Sequence, residues 1–199
     1  MKDTVLQPVA DLEDWFDHEL SHAFPPQELK PLSMMKGMVR EGRYRILGLY
    51  DGGRLLGYST LWLDPAFPEV QLLDYLGVTS SLRNRGLGAE ILSRLKRQFA
   101  GATLLIESET PVPGGEAEEN ALRSRRIGFY QRCGFIPAYE MATCGMRFLT
   151  LTNRPLNDPP AVMERHRGIY GPSRVDVVIP LPAGANPPPS LFIPESKEN

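Results

Sequence analysis

The residues best suited to chemistry lie in one basic, glycine-containing segment, Arg83-Asn84-Arg85-Gly86-Leu87-Gly88. It follows an apolar strand pattern, and an amphipathic helix pattern begins within it. Glycine lets an anion approach the main chain, and a helix start contributes N–H groups and partial positive charge. The segment therefore predicts an anion site that suits a pyrophosphate. The alternative is a solvated basic turn.

Three carboxylates stand in or at the end of apolar strand patterns. Asp74 lies four residues before Val78 in LLDYLGV, and Glu107 and Glu109 alternate in LLIESE. An unpaired buried carboxylate is costly, so Asp74 needs either a functional reason or the alternative of a salt bridge or a solvent-facing position. Glu107 and Glu109 share a strand face and could bind or deprotonate a cationic amine. Their alternative is a strand end that emerges into solvent.

A second candidate chemistry is hydrolysis at zinc. His18-Glu19-Leu20-Ser21-His22 spells H-E-x-x-H, which places two histidines one helical turn apart. The only other histidine is His166, and the motif ends against Pro25-Pro26. We therefore favour an amphipathic helix with Trp15 buried, and we expect no metal.

The elements that position these residues follow from periodicity and turn signals. The pattern predicts an α+β (α/β layered) fold in which helices flank a mixed central sheet. Helices are predicted over 11–24, 27–41, 86–99, 116–132 and 159–168; strands over 44–50, 54–63, 70–78, 104–108, 135–140, 145–151 and 175–180.

Length and composition limit the remaining possibilities. The chain has 199 residues, a formal net charge of −2 and two cysteines. We expect a single domain over 1–181, followed by a mobile, proline-rich tail over 182–199. The charge does not suggest a nucleic-acid partner, and no apolar run is long enough for a membrane span. Few cysteines and the lack of a signal-like start predict a cytoplasmic protein.

Three features together resemble the GNAT superfamily of N-acetyltransferases. Arg83 to Gly88 matches R-x-x-G-x-G, the pyrophosphate loop of that superfamily. Ile127 to Phe135, IGFYQRCGF, is similar to its I-x-[FL]-Y-x-x-x-G-F segment. The element order agrees over Leu12 to Leu151. The segments at 24–28, 73–78 and 125–127 resemble a bacterial branch whose acceptors are undefined. The resemblance implies the GNAT-like acyl-CoA N-acyltransferase fold.

The resemblance also implies how acetyl-CoA binds. Main-chain groups of the strand end would bind the pantetheine and polarise the thioester carbonyl, and the loop would hold the pyrophosphate. The strand that ends at Val78 would splay from the strand at 104–108 to leave a slot for the pantetheine. The expected cofactor-binding residues are Leu76, Gly77, Val78, Arg83, Asn84, Arg85, Gly86, Leu87, Gly88 and Ala89.

For catalysis, the resemblance points to Tyr130 as the general acid that meets the departing thiolate. The alternative is a core tyrosine whose hydroxyl finds a main-chain partner. Asp74 stands where superfamily members often have a glutamate base, and Glu107 is the second candidate base. Glu28 and Glu109 would bind the acceptor.

One position departs from the superfamily pattern. Many members carry an asparagine seven residues before the tyrosine, where it holds the pantetheine arm, but here that position is Arg123 and the nearest asparagine is Asn120. The function implied is acetyl transfer from acetyl-CoA to a primary amine by direct attack in a ternary complex, by a monomer or homodimer. The alternative is a non-catalytic acyl-CoA-binding or sensing module.

Overall fold

The structure is a computed structural model that describes residues 4–190. The chain forms two compact units that divide between Leu104 and Leu105. The single domain expected over 1–181 stays a prediction, as does the mobile tail over 182–199. Residues 191–199 of that tail lie outside the described residues.

Over residues 4–102, the first unit contains four strands, and each pairs antiparallel with the next along the chain. The last three confirm predicted strands, because their apolar stretches and the turn at Gly52-Gly53 are strong local signals. The sequence pattern does not predict the first strand, since only one of its four residues is buried. The strands are β1 (Val5–Pro8), β2 (Tyr44–Asp51), β3 (Arg54–Leu63) and β4 (Val70–Val78).

A bulge interrupts the pairing of β3 with β4. Ser59 lies opposite Leu76 and Leu61 lies opposite Leu73, so β4 carries one more residue than β3 across this interval. A bulge breaks the strict alternation of side chains between the two faces of a sheet. Asp74 and Tyr75, the consecutive residues in the bulge, can therefore both serve the same neighbouring segment.

The first predicted helix is divided into three segments. α1 (Leu12–Trp15) and α2 (Ser21–Ala23) are separated by a π-helical turn, Phe16–Leu20. The second predicted helix is shorter than expected, because Pro31 is the N-cap of α3 (Leu32–Arg40) rather than part of its first turn. α4 (Leu87–Gln98) confirms the predicted apolar face, with four leucine and isoleucine side chains buried.

The second unit begins within β5 (Thr103–Glu109), which is followed by α5 (Ala117–Arg132). Its antiparallel strand order is β5-β7-β6. The predicted final strand over 175–180 is wrong: Val178 makes only an isolated bridge with Ala142, and the described residues around it form turns. The remaining elements are β6 (Ile136–Thr143), β7 (Met146–Thr152) and α6 (Pro159–Tyr170).

Helices and antiparallel strands alternate in blocks in both units, which confirms the α+β class. Over residues 4–190, no helix has the length and apolar character that crossing a bilayer requires.

Candidate active site

The predicted anion loop lies between β4 and α4. Its two left-handed residues are Asn84, with φ of 63°, and Gly86, with φ of 77°. Gly86 is the N-cap of α4, and among residues 4–190, its chain neighbours aside, no atom lies within 4 Å of where its Cβ would be. Glycine is therefore favoured here by the backbone angle and not by crowding from the protein. The space beside it is open to a ligand.

Charge and N–H groups converge on this loop. α4 has twelve residues, and the first N–H groups of a helix have no intrahelical acceptor. Arg83 and Arg85 are exposed, and within the described part of the chain neither guanidinium has an ion-pair partner. Leu87 is buried and anchors the helix start. These residues fit a pyrophosphate, since they offer main-chain donors, a helix dipole and two unpaired cations.

The end of β4 is closely packed on one face. A Cβ on Gly77 would overlap the ring of Tyr58, its cross-strand partner. The Tyr58 hydroxyl donates a hydrogen bond to the main-chain oxygen of Glu19 at 3.4 Å. Burial raises the pKa of Tyr58, and the charge of Glu19 raises it further. Leu76 to Val78 thus form a strand end that the neighbouring side chains hold in place.

Asp74 forms an ion pair in the first unit. Lys30 Nζ lies 2.7 Å from its Oδ1 and 2.8 Å from its Oδ2, and the hydroxyl of Tyr44 donates to Oδ2. The Asp74 side chain is 14% exposed and that of Lys30 is 20% exposed. Burial and the charge of Asp74 raise the pKa of Tyr44, so this phenol stays protonated. The salt-bridge alternative is therefore present, and the base role of Asp74 stays a prediction.

The bulge in β4 fixes the segment that carries Glu28 and Lys30. The Tyr75 hydroxyl donates to the carbonyl of Glu28 at 2.6 Å and accepts from the N–H of Lys30 at 3.0 Å. The ammonium of Lys30 lies 4.8 Å from the ring centroid of Trp62 and 5.3 Å from that of Tyr75. Sequence reasoning missed Lys30, because nothing in the local pattern marks a lysine as the partner of a distant strand residue.

Glu107 belongs to a buried network in the second unit. Tyr170 donates to both of its carboxylate oxygens, at 2.7 and 2.6 Å, and His166 Nε2 lies 2.8 Å from Oε1. His166 is fully buried, and its Nδ1 lies 2.9 Å from the Tyr139 hydroxyl. Sequence reasoning missed these partners because α6 is remote from Glu107 along the chain. The base role of Glu107 also stays a prediction.

The start of α5 holds the segment that follows β5. Arg123 donates to Glu109 at 2.9 Å, and Arg126 lies 3.9 Å from the same carboxylate. The Asn120 side chain accepts from the N–H of Val112 at 2.7 Å and donates to its carbonyl at 2.8 Å. Arg123 and Asn120 thus both have partners within the protein, and the acceptor role of Glu109 stays a prediction.

Tyr130 lies in the last turn of α5 and is half-buried. Its ring centroid lies 5.3 Å from that of Phe129 and 6.5 Å from that of Phe135. Its hydroxyl makes no hydrogen bond to any residue in the described range 4–190. Burial raises the pKa of Tyr130, although the charge of Arg126 opposes the rise. A protonated phenol whose hydroxyl has no hydrogen-bond partner among the described residues can act as a proton donor.

The H-E-x-x-H histidines are held within their own helical segment. His18 Nδ1 lies 2.9 Å from a carboxylate oxygen of Asp14, and His22 Nδ1 lies 3.1 Å from the main-chain oxygen of His18. Between residues 4 and 190, no cluster of three histidine, cysteine or acidic side chains could hold a metal ion.

Three comparisons relate this chain to known proteins. The acetyltransferase (GNAT) domain family matches residues 42–137. YjbC of Bacillus subtilis (strain 168), a protein assigned as an acetyltransferase, is 27% identical over 144 residues, which are 72% of this chain and 66% of that protein. A Bacteroides thetaiotaomicron protein assigned to the GNAT family has a TM-score of 0.67 at 24% identity, covering 84% of this chain and 99% of its own.

An aminoglycoside 6'-N-acetyltransferase solved with coenzyme A has a TM-score of 0.58 at 14% identity, over 77% of this chain and 99% of its own. These likenesses confirm the expected GNAT fold, a mixed sheet flanked by helices. The family match over residues 42–137 and the shared fold make this chain similar to the GNAT acetyltransferases, a class of enzymes that transfer acyl groups from acyl-CoA. The matched residues span 66% of the length of YjbC.

Proposed function

We propose that this protein transfers the acetyl group of acetyl-CoA to a primary amine by direct attack in a ternary complex. The observation that carries the proposal is the loop at Gly86, where open main chain, a helix start and two unpaired arginines offer a site for pyrophosphate. The match of residues 42–137 to the acetyltransferase (GNAT) domain family supports the same donor. We also propose a cytoplasmic location and a monomer or homodimer.

The reaction balances with groups that the chain possesses. The amine nitrogen bonds to the thioester carbonyl carbon, and the carbon–sulfur bond then breaks. Of the two protons that an ammonium must lose, one ends on the sulfur and the other leaves to solvent. Tyr130 is proposed to supply the proton for the sulfur, because its phenol is protonated at neutral pH and its hydroxyl makes no hydrogen bond to residues 4–190.

Leu76, Gly77 and Val78 are proposed to bind the pantetheine through main-chain groups, and residues 83–89 are proposed to bind the pyrophosphate. Asp74 and Glu107 are the two carboxylates proposed from the sequence as the base. Each would have to accept a proton while it is bonded to another group, Lys30 for Asp74 and Tyr170 for Glu107. Glu28 and Glu109 are proposed to bind the acceptor.

The test is a screen of amines with acetyl-CoA that measures release of the free thiol. The panel comprises amino acids, a polyamine, an aminoglycoside and peptides with free amino termini. We expect amine-dependent thiol release with at least one member, and an acetylated product of matching mass. Tight acetyl-CoA binding without turnover on any amine would contradict the proposal and favour the non-catalytic binding module.

A further inference from the structure

Glu19 lies in the π-helical turn Phe16–Leu20, on the segment that carries the H-E-x-x-H pattern. Short π-helical turns are rare, and they occur frequently at functional sites. The histidines of the pattern bond within their own segment, as described above. Glu19 differs from them, because its main chain bonds to Tyr58 of β3 and its side chain bonds to Thr79, directly after β4.

Two contacts fix Glu19 at the end of β4. Its main-chain oxygen accepts from Tyr58, whose ring fills the space over Gly77. Its carboxylate oxygen Oε1 accepts from the Thr79 hydroxyl at 3.1 Å. Thr79 directly follows Val78, so the carboxylate lies beside the strand end proposed to hold the pantetheine and polarise the thioester.

The charge state of its surroundings distinguishes Glu19 from the carboxylates that the sequence suggested. Asp74 is paired with Lys30, and Glu109 is paired with Arg123. Glu107 bonds to Tyr170 and His166. Glu19 is half-buried, and among residues 4–190 its carboxylate has a hydroxyl donor but no cation within ion-pair distance. A carboxylate in this state can attract an ammonium from solvent.

We infer that Glu19 is the residue that receives the ammonium of the acceptor and takes its first proton, an inference that rests on the proposed acetyl transfer. The N–H bond of the ammonium breaks and its proton moves to the Glu19 carboxylate. The neutral nitrogen then attacks the thioester carbonyl carbon. Glu19 later releases that proton to solvent, and the second amine proton balances the one that reaches the sulfur.

The inference also defines the class of acceptor. A single unpaired carboxylate favours amines that are cations at neutral pH, such as alkylamines, and gives no advantage to amines that are already neutral. The hydrogen bond from Thr79 would hold the Glu19 carboxylate at one position relative to the strand end. A general base needs such a fixed position to act on a bound amine.

The experiment compares four proteins on the best alkylamine from the screen: wild type, Glu19→Gln, Glu19→Asp and Asp17→Asn. Glutamine keeps the shape of Glu19 and an oxygen that can accept from Thr79, so the fold should survive. Asp17 is exposed in the same turn and serves as the matched control. The measurements are kcat, KM for the amine, acetyl-CoA affinity by calorimetry, and thermal melting.

We expect Glu19→Gln to lower kcat/KM for the amine by about 100-fold or more, with acetyl-CoA affinity unchanged within about twofold. Glu19→Asp should retain more activity than Glu19→Gln, and Asp17→Asn should match wild type. Activity of Glu19→Gln within about threefold of wild type would overturn the inference, as would equal losses in the amine and acetyl-CoA parameters. If wild type itself acetylates no amine, the proposed function fails, and this inference fails with it.

Discussion

At the scale of single residues, the structure separates side chains that already have strong partners from those that do not. Asp74 and Lys30 neutralise each other, and the Tyr44 hydroxyl also bonds to the Asp74 carboxylate. Tyr130 has ring contacts but no hydrogen-bond partner among the described residues. Substitution of a side chain with strong partners should lower stability, whereas substitution of Tyr130 should lower the rate of acetyl transfer.

Replacing Tyr130 with phenylalanine should lower kcat by about 10- to 1000-fold and leave acetyl-CoA affinity nearly intact. Only the hydroxyl is lost, so the ring keeps its contacts with Phe129 and Phe135. Steady-state kinetics and thermal melting measure the two effects. Tyr50→Phe is the matched control and should retain full turnover. Full activity of Tyr130→Phe would remove Tyr130 from the mechanism.

Replacing Lys30 with methionine should lower the free energy of unfolding by about 2 kcal/mol, between the values typical of exposed and fully buried pairs. The cause is the Asp74 carboxylate, which is 14% exposed and would lose its cation. Urea unfolding measures the change. The double variant with Asp74→Asn should recover part of the loss, because it removes the uncompensated charge. A loss that the second substitution does not reduce would argue against the ion pair.

At the scale of elements, the loop and the start of α4 together form the proposed anion site. The strand end at Val78, the left-handed Gly86 and the helix start at Leu87 lie within ten residues of one another, so their geometry is largely set by local sequence. The bulge in β4 has a different effect, since it lets two consecutive side chains hold the segment at 28–30. The main chain at the end of β4 is thus proposed to bind the donor, while the side chains of its bulge hold the segment at 28–30.

Replacing Gly86 or Gly88 with valine should weaken CoA binding by several kcal/mol while the fold is retained, because a side chain at either position blocks the phosphate and one at Gly86 also strains the left-handed backbone. Calorimetry with CoA measures the effect. Gly53→Val is the control, since Gly53 is also left-handed, with φ of 85°, and has open space around it in the β2–β3 turn. It should share the backbone strain without losing CoA affinity. Unchanged affinity in the Gly86 variant would refute the loop assignment.

At the scale of the whole molecule, stability depends on buried polar groups that join distant parts of each unit. Asp176 is buried and accepts from Arg174 at 2.8 and 2.9 Å. It also accepts from the Thr143 hydroxyl at 3.1 Å and the Cys144 N–H at 3.0 Å. The bonds from Arg174 are the largest cause that lowers the pKa of Asp176 far below its usual range.

This lowered pKa makes the stability of the molecule depend on pH. Because the folded state holds Asp176 ionised, its contribution is complete above the unfolded pKa of about 4 and is lost as pH falls towards the folded value. Asp176→Asn should cost about 2–4 kcal/mol at pH 7, and its difference from wild type should narrow below about pH 4. Urea unfolding across pH measures this. The exposed Asp51→Asn should change stability little, and a pH-independent difference would contradict the account.

Metal content is also a property of the whole molecule. The double variant His18→Ala with His22→Ala should keep stability and activity within about a kcal/mol of wild type. Both side chains are exposed, and each hydrogen-bonds to the main-chain oxygen four residues earlier. Elemental analysis of untagged protein is the direct measurement. Stoichiometric zinc that this double variant removes would revive the hydrolase alternative.

Much of the fold could be predicted from sequence, because the strongest signals are local. The apolar face of α4 and the strands β2 to β4 repeat with the period of their own elements, and the loop motif lies within six residues. The two strand errors also share a cause, because strand formation there depends on pairing with a distant segment rather than on the local pattern. β1 has four residues with one buried, and the expected strand over 175–180 has apolar residues but only one bridge partner.

The sequence by itself predicted the GNAT-like fold, which the comparisons confirm, and it predicted the anion loop and the role of the Tyr130 segment, because the residues of each motif are consecutive in the chain. Only the tertiary structure decided which carboxylates already have an ion-pair or hydrogen-bond partner within the protein. Lys30 lies 44 residues from Asp74 along the chain, and Glu19 lies 60 residues from Thr79. Hydrophobic periodicity predicts which face of a helix or strand is buried, but it does not predict which distant residue that face contacts. The assignment of a base therefore depends on contacts that form only when the chain has folded.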